Sequence, residues 1–256
     1  MRHNRWEREM LNNKTILITG ASRGIGRASV EICKQNGARI LAHASGPSAP
    51  CEALIADGLV ERDDLILEDF SQKGAGTRLF ERAIAQAPDL DCVVNNAGVY
   101  LASPVDDAKA WDEGWAQTMN VNVHAVADIC RAAITYFSAK GGGSVVNIAS
   151  RAGHRGDGPD HSAYAASKGA ILAMTKTFAR AYAGEGVLFY AIAPGWVETR
   201  MAPQDIENRK LAIRDIPLGK VANPAEVGAL IAFLASGQCP SLIGATLDVN
   251  GASYVR

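Results

Sequence analysis

Tyr164 and Lys168 stand four residues apart in a stretch that reads as helix. On a helix that spacing puts both side chains on one face, one turn apart. A free phenol titrates at about pH 10 and is a poor acid–base group near neutrality. A neighbouring ammonium favours the phenolate and draws the value towards the working range. Such a pair could pass a proton to or from a substrate oxygen; it could equally be an interfacial tyrosine and a solvated lysine. Ser150 closes the apolar run Val145–Ala149, so it is expected at the carboxyl end of a strand, where open α/β sheets bind ligands.

The elements that would position these groups alternate along the chain. Short apolar runs, read as strands buried on both faces, begin at Thr15, Arg39, Asp64, Cys92, Ser144, Val187 and Thr246. Helical periodicity fills roughly 73–87, 109–139, 162–184 and 224–235, with a first helix ending near Asn36. Alternation of this kind implies a doubly wound, Rossmann-type α/β fold: a parallel sheet with right-handed crossovers and helices on both faces. No linker divides the chain, so residues 13–256 are expected to form one catalytic domain behind a loosely ordered lead-in, 1–12. The segment 196–222, charged and interrupted by Pro203 and Pro217, is expected to cover the active site or to be an ordinary surface excursion.

Between the first run and the first helix lies Thr19-Gly20-Ala21-Ser22-Arg23-Gly24-Ile25-Gly26. Gly20 permits a tight turn, Gly24 a close approach of backbone to a pyrophosphate, and Gly26 close packing of helix on strand. The helix then offers free N–H groups and its positive dipole end to an anion.

Composition bounds the rest. A net charge of −1 gives no electrostatic case for nucleic acid or an anionic membrane. No run of about 18 apolar residues occurs, and the charged N-terminus is neither signal peptide nor anchor. Five scattered cysteines without a CxxC or Cys/His cluster point to a reducing cytoplasm, buried core thiols and no metal site.

Taken together, these motifs resemble the short-chain dehydrogenase/reductase family in its compact single-domain branch, over about residues 12–251. The resemblance implies a seven-stranded parallel sheet binding NAD(P) at its carboxyl edge, with Gly20, Ser22, Arg23, Gly24, Ile25 and Gly26 forming the phosphate loop. Asn95–Gly98 is similar to the family's NNAG motif, so Asn96, Ala97 and Gly98 are expected beside the adenine ribose. Asp69, with Phe70, follows the third strand where the family binds adenine. Pro194, Gly195, Val197 and Thr199 resemble the PGxxxT segment that holds the nicotinamide amide and pyrophosphate.

No acidic residue follows the second strand until Glu52; the position reads His43-Ala44-Ser45-Gly46. An acidic residue there would accept from a ribose 2′-hydroxyl and repel a 2′-phosphate. With Arg23 in the loop and Ser45 as a donor, NADP(H) is expected over NAD(H).

The resemblance also supplies roles. Ser150 hydrogen-bonds the substrate oxygen, Tyr164 gives or takes the proton, and Lys168 lowers the Tyr164 pKa and holds the nicotinamide ribose. Asn122, favoured over Asn120 by its aliphatic neighbours, positions a water that relays protons to Lys168. The implied activity interconverts a small-molecule ketone and a secondary alcohol. The C-terminal half, in Ile216–Lys220, Pro224–Val227 and Gly244–Gly251, is similar to 3-oxoacyl-[acyl-carrier-protein] reductases and to alcohol and sugar dehydrogenases, a branch that forms homotetramers or homodimers through the last strand and two long helices. Thr135 and Glu185 stand where carrier-protein reductases are basic. Arg151, His154, Arg155 and His161 could meet an anionic or polyhydroxylated substrate, with Asp157 and Asp160 offsetting their charge.

A cofactor-sensing relative without catalysis is the competing reading, although Ser150, Tyr164 and Lys168 are all kept. Tyr164→Phe separates the two. It is expected to retain cofactor binding and to cut turnover by roughly 10²–10⁴-fold, the worth of a positioned proton donor. Steady-state kinetics beside a cofactor titration measure both; near-normal turnover would refute the assignment.

Overall fold

The computed structural model describes residues 10–202 and 205–256, so Pro203 and most of the lead-in lie outside the described residues. Strands β1 (Thr15–Ile18), β2 (Arg39–Ala44), β3 (Leu65–Leu67), β4 (Cys92–Asn95), β5 (Gly143–Ile148), β6 (Val187–Pro194) and β7 (Thr246–Val249) form one seven-stranded sheet. Its order is β3-β2-β1-β4-β5-β6-β7, and every neighbouring pair is parallel.

That order has a physical consequence. The chain winds outward from β1 to β3, then crosses back to lay β4 beside β1. The reversal opens a crevice at the carboxyl ends of β1 and β4, the place where such sheets take ligands.

Alternation within each strand splits the core. Leu17, Leu41, Val93 and Val145 face one layer; Ile16, Ile18, Ile40, Val94 and Val146 face the other. The helices are α1 (Gly24–Gln35), α2 (Ala49–Ala56), α3 (Ala75–Gln86), α4 (Ala108–Met119), α5 (Ala125–Lys140), α6 (Ala152–Arg155), α7 (Ser162–Tyr182), α8 (Ile206–Arg214) and α9 (Pro224–Ala235). Residues of α3, α5 and α7 pack on the first layer, those of α1, α2 and α9 on the second. Four of the five cysteines are buried, and burial pushes the Cys33, Cys92 and Cys130 thiols up to about 12.

Three differences from the sequence reading bear on the site. The single helix expected over 109–139 is two, α4 and α5, joined in line by a π-turn, Asn120–His124. Asp64 lies in a short 3-10 turn and β3 starts at Leu65. Within 196–222 the chain forms α8, whose Arg209 Nη1 donates to Glu198 Oε1 at 2.9 Å, while Val197 bridges Ala222. A capping box, Asn223 with Glu226, then starts α9.

The phosphate loop depends on two glycines. Gly20 has φ of 63°, a left-handed conformation that glycine adopts without penalty. Gly26 packs so tightly that a Cβ there would lie 2.1 Å from the Gly20 carbonyl oxygen. Backbone must move to admit it. Gly26→Ala is expected to lower stability by about 1–3 kcal/mol, the usual cost of overpacking, and to weaken cofactor binding. Denaturant unfolding with a parallel cofactor titration checks both; an unchanged midpoint and affinity would contradict the packing argument.

Candidate active site

Beyond the carboxyl ends of the strands lies one cleft of about 730 Å³. At its β1 end, Thr19 ties the two sides of the crevice together. Its Oγ1 donates to Val94 O at 3.2 Å and accepts from the N–H groups of Asn96 and Ala97, each at 2.9 Å. Asn96 Nδ2 returns a bond to Thr19 O at 2.8 Å. The phosphate loop and the Asn95–Gly98 turn are thus one unit.

His43 braces the loop from β2. Its Nδ1 accepts from the Gly20 N–H at 3.3 Å, which leaves Nε2–H to donate to Glu68 O at 2.9 Å. The ring stacks on Phe70, with centroids 4.2 Å apart. Burial lowers its pKa to about 4, so the neutral tautomer this geometry needs is the one present. Sequence reading treated His43 only as a non-acidic residue; its signal was a histidine inside an otherwise apolar strand.

The residues expected to hold a cofactor line the cleft: Gly20, Ser22, Arg23, Gly24 and Ile25 from the loop, Ser45, Asp69 and Phe70 from the β2 and β3 ends, Asn96, Ala97 and Gly98, then Pro194, Gly195, Val197 and Thr199. Gly26 stands behind the loop. Arg23 and Ser45 are exposed at the mouth. The Asp69 carboxylate accepts from Ser71 N–H at 2.9 Å and Ser71 Oγ at 2.8 Å, and these bonds hold its pKa below the ordinary value. A dinucleotide fits this cradle: a left-handed glycine turn, the N-terminus of α1, and a Gly24 whose Cβ would press on Thr199 at 3.1 Å.

Ser150 follows β5 and Tyr164 and Lys168 rise from the first turns of α7. Lys168 is 5% exposed, and its Nζ donates to Ile148 O at 2.8 Å. That Nζ lies 5.7 Å from the centre of the Tyr164 ring. Ser150 hydrogen-bonds Tyr164, and its Oγ accepts from Ala152 N–H at 3.1 Å. Asn122, 1% exposed in the π-turn, is the asparagine at this corner. Its Nδ2 donates to Val99 O at 3.0 Å and Ser167 Oγ at 3.1 Å, while Oδ1 accepts from Val99 N–H at 2.8 Å. The wider π-turn aims this side chain inward, as π-bulges at functional sites often do. Asn120 instead reaches Ser71 O at 3.4 Å.

One expectation is corrected. Tyr164 is not lowered: burial pushes its phenol up to about 12, and the Ser150 hydrogen bond pulls the other way without offsetting this. Lys168 cannot do more because its ammonium is turned to the Ile148 carbonyl, and burial lowers its own pKa to about 8. The protonated phenol that results suits donation to a nascent alkoxide.

Of the loop histidines, neither lines the cleft. His161 stacks on Tyr100 at 3.9 Å, and His154 on Tyr254 at 5.5 Å. Tyr100, missed by the sequence reading, meets Tyr164 edge to face at 4.8 Å and forms a wall of the cleft with Trp196.

A family model described as enoyl-(acyl carrier protein) reductase matches residues 20–252. The chain belongs to the short-chain dehydrogenase/reductase family, and it is an NAD(P)-dependent oxidoreductase acting on CH–OH and keto groups. It is similar to the 3-oxoacyl-[acyl-carrier-protein] reductase FabG of Thermotoga maritima, 32% identical over 94% of this chain and 98% of that one. The reductases of the same name from Vibrio cholerae and Escherichia coli are each 30% identical, over 96% and 94% of this chain and 99% and 98% of theirs.

The titrations set a pH dependence. The Lys168 ammonium is present below about 8 and lost as pH rises through that value, while Tyr164 stays protonated. Carbonyl reduction is therefore expected to show a descending alkaline limb near pH 8. A kcat/KM profile from about pH 6 to about pH 10 measures it. A flat profile would contradict the assignment of Lys168.

Proposed function

We propose that the chain reduces a ketone to a secondary alcohol with NADP(H), using Tyr164 as proton donor. The observation that carries this is the convergence of Ser150, Tyr164 and Lys168 in one cleft with the phosphate loop. Bound nicotinamide supplies the hydride. Ser150 and Tyr164 hydrogen-bond the carbonyl oxygen, which polarises it and fixes its distance from the hydride source. Tyr164 delivers its proton as charge builds on that oxygen. Lys168 holds the ribose hydroxyls, and the Ser150 hydrogen bond favours the phenolate left behind. Asn122 clamps Val99 to Ser167 and so fixes the floor beneath Lys168, with a proton-relay water as its further role.

In this reading residues 13–256 work as one catalytic domain and 196–222 covers the substrate. Arg23 and Ser45 take the 2′-phosphate, Asp69 the adenine amino group, and Thr199 with Pro194–Val197 the nicotinamide end. The protein works in the cytoplasm as a homotetramer or homodimer, without nucleic acid or membrane; no described helix is long and apolar enough to cross a membrane.

A second reading, reduction of a 3-oxoacyl thioester, is favoured by what the similar reductases are named for. Exposed Thr135 and Glu185 give an acidic carrier no basic contact at those positions. The test is oxidation of NADPH and NADH across simple ketones, keto acids, 3-oxoacyl thioesters and a 2-enoyl thioester. NADPH-dependent turnover of a ketone is expected, and preference for the thioester would select the second reading. Ser45→Asp, which sets a carboxylate at the end of β2, is expected to cut the NADPH preference by roughly tenfold, as ~1.4 kcal/mol of repulsion would. Preference for NADH in the unaltered protein would overturn the cofactor assignment.

A further inference from the structure

Arg151 directly follows Ser150, and its side chain is only 8% exposed. Its backbone N–H donates to Pro194 O at 2.9 Å, and its guanidinium lies 6.0 Å from the Trp196 ring centre, inside the cleft. Nη1 of Arg151 donates to Asp215 Oδ2 at 3.1 Å; Nη1 of Arg155 meets the same oxygen at 3.0 Å. Two guanidiniums thus share one carboxylate oxygen, and that carboxylate comes from the residue that ends α8 in the covering segment.

The other charges at this end do not cancel the excess. Asp157 lines the cleft, hydrogen-bonded to the Tyr100 hydroxyl, and Arg200 adds a third guanidinium to the lining, so three cations face the two carboxylates Asp157 and Asp215. Burial and the neighbouring Arg155 both disfavour the Arg151 cation, while Asp215 and Asp157 favour it. A buried guanidinium demands a paired anion, and its planar fork fits a carboxylate in bidentate fashion. Asp215 offers the same single oxygen to both arginines, and a fork to neither.

We propose that Arg151, with Arg155, receives a carboxylate of the substrate, and that Asp215 stands in that place until the substrate displaces it. The substrate is then a keto acid. Ser150, Arg151 and Arg155 all line the same cleft, so one molecule bound there meets both the hydroxyl and the guanidiniums. Tyr100, Trp196, Leu101 and Met201 leave an apolar wall for the remainder of the molecule. The inference rests on ketone reduction at Ser150 and Tyr164.

The experiment compares kcat/KM with NADPH for matched pairs: a 2-oxo, a 3-oxo and a 4-oxo acid, each beside its methyl ester. At least one acid is expected to exceed its ester by about tenfold or more, the scale of a charge-assisted hydrogen bond. Arg151→Gln is expected to bring that ratio towards one, with Arg151→Lys between, and Asp215→Asn to lower KM for the acid. Arg155→Gln, in a partly exposed position, gives the same readout should Arg151→Gln fail to fold. Esters equal to or better than acids throughout would overturn the proposal. So would an acid-to-ester ratio unchanged in both arginine variants, the mark of a purely structural latch. Absence of turnover with every ketone would instead overturn the ketone-reductase reading on which it stands.

Discussion

The corner of the cleft that holds Ser150, Tyr164 and Lys168 hangs on one buried bond, from the Lys168 ammonium to the Ile148 carbonyl. An ammonium taken out of water must be given partners, and here the nearest is the last carbonyl of β5. Satisfying it docks the first turns of α7 onto the end of the strand that carries Ser150. Tyr164, one helical turn earlier, is thereby delivered to Ser150. The same burial that makes the lysine costly lowers its pKa and raises that of Tyr164, so position and protonation state have a common origin.

The cofactor end is built differently, from neutral groups. Thr19, Asn96 and His43 satisfy loop backbone that would otherwise be buried without partners. What remains free at the loop is the start of α1, aimed into the crevice that the sheet reversal creates. The two halves of the cleft meet at Gly98, where a Cβ would press on Asn122 Oδ1 at 3.3 Å and touch Lys168 Nζ at 3.6 Å.

The sheet was legible because the inner strands are buried on both faces and all seven read as short, largely apolar runs; all seven were found, within one or two residues at their ends. The loop, the Tyr164–Lys168 pair and Ser150 were legible because each needs particular residue types at fixed spacing. The π-turn was not, since one extra residue in a helical turn leaves no trace in an apolar period. The electrostatics of Tyr164 were not either. Proximity on a helix face says nothing about where an ammonium points, and the desolvation that outweighs it comes from residues far away in sequence. Tyr100 and the shared carboxylate of Asp215 escaped for the same reason: their partners lie on other elements.

The neutrality of His43 has a consequence for how the molecule answers its surroundings. An imidazole that protonates only near pH 4 keeps the phosphate loop's shape fixed through the whole range in which cells live. Lys168, at the far end of the cleft, is the group brought down to about 8. The phosphate end of the cleft thus keeps one shape across a pH range in which the Lys168 ammonium at the other end is lost, so any change of grip with alkaline pH arises at the ribose that Lys168 faces.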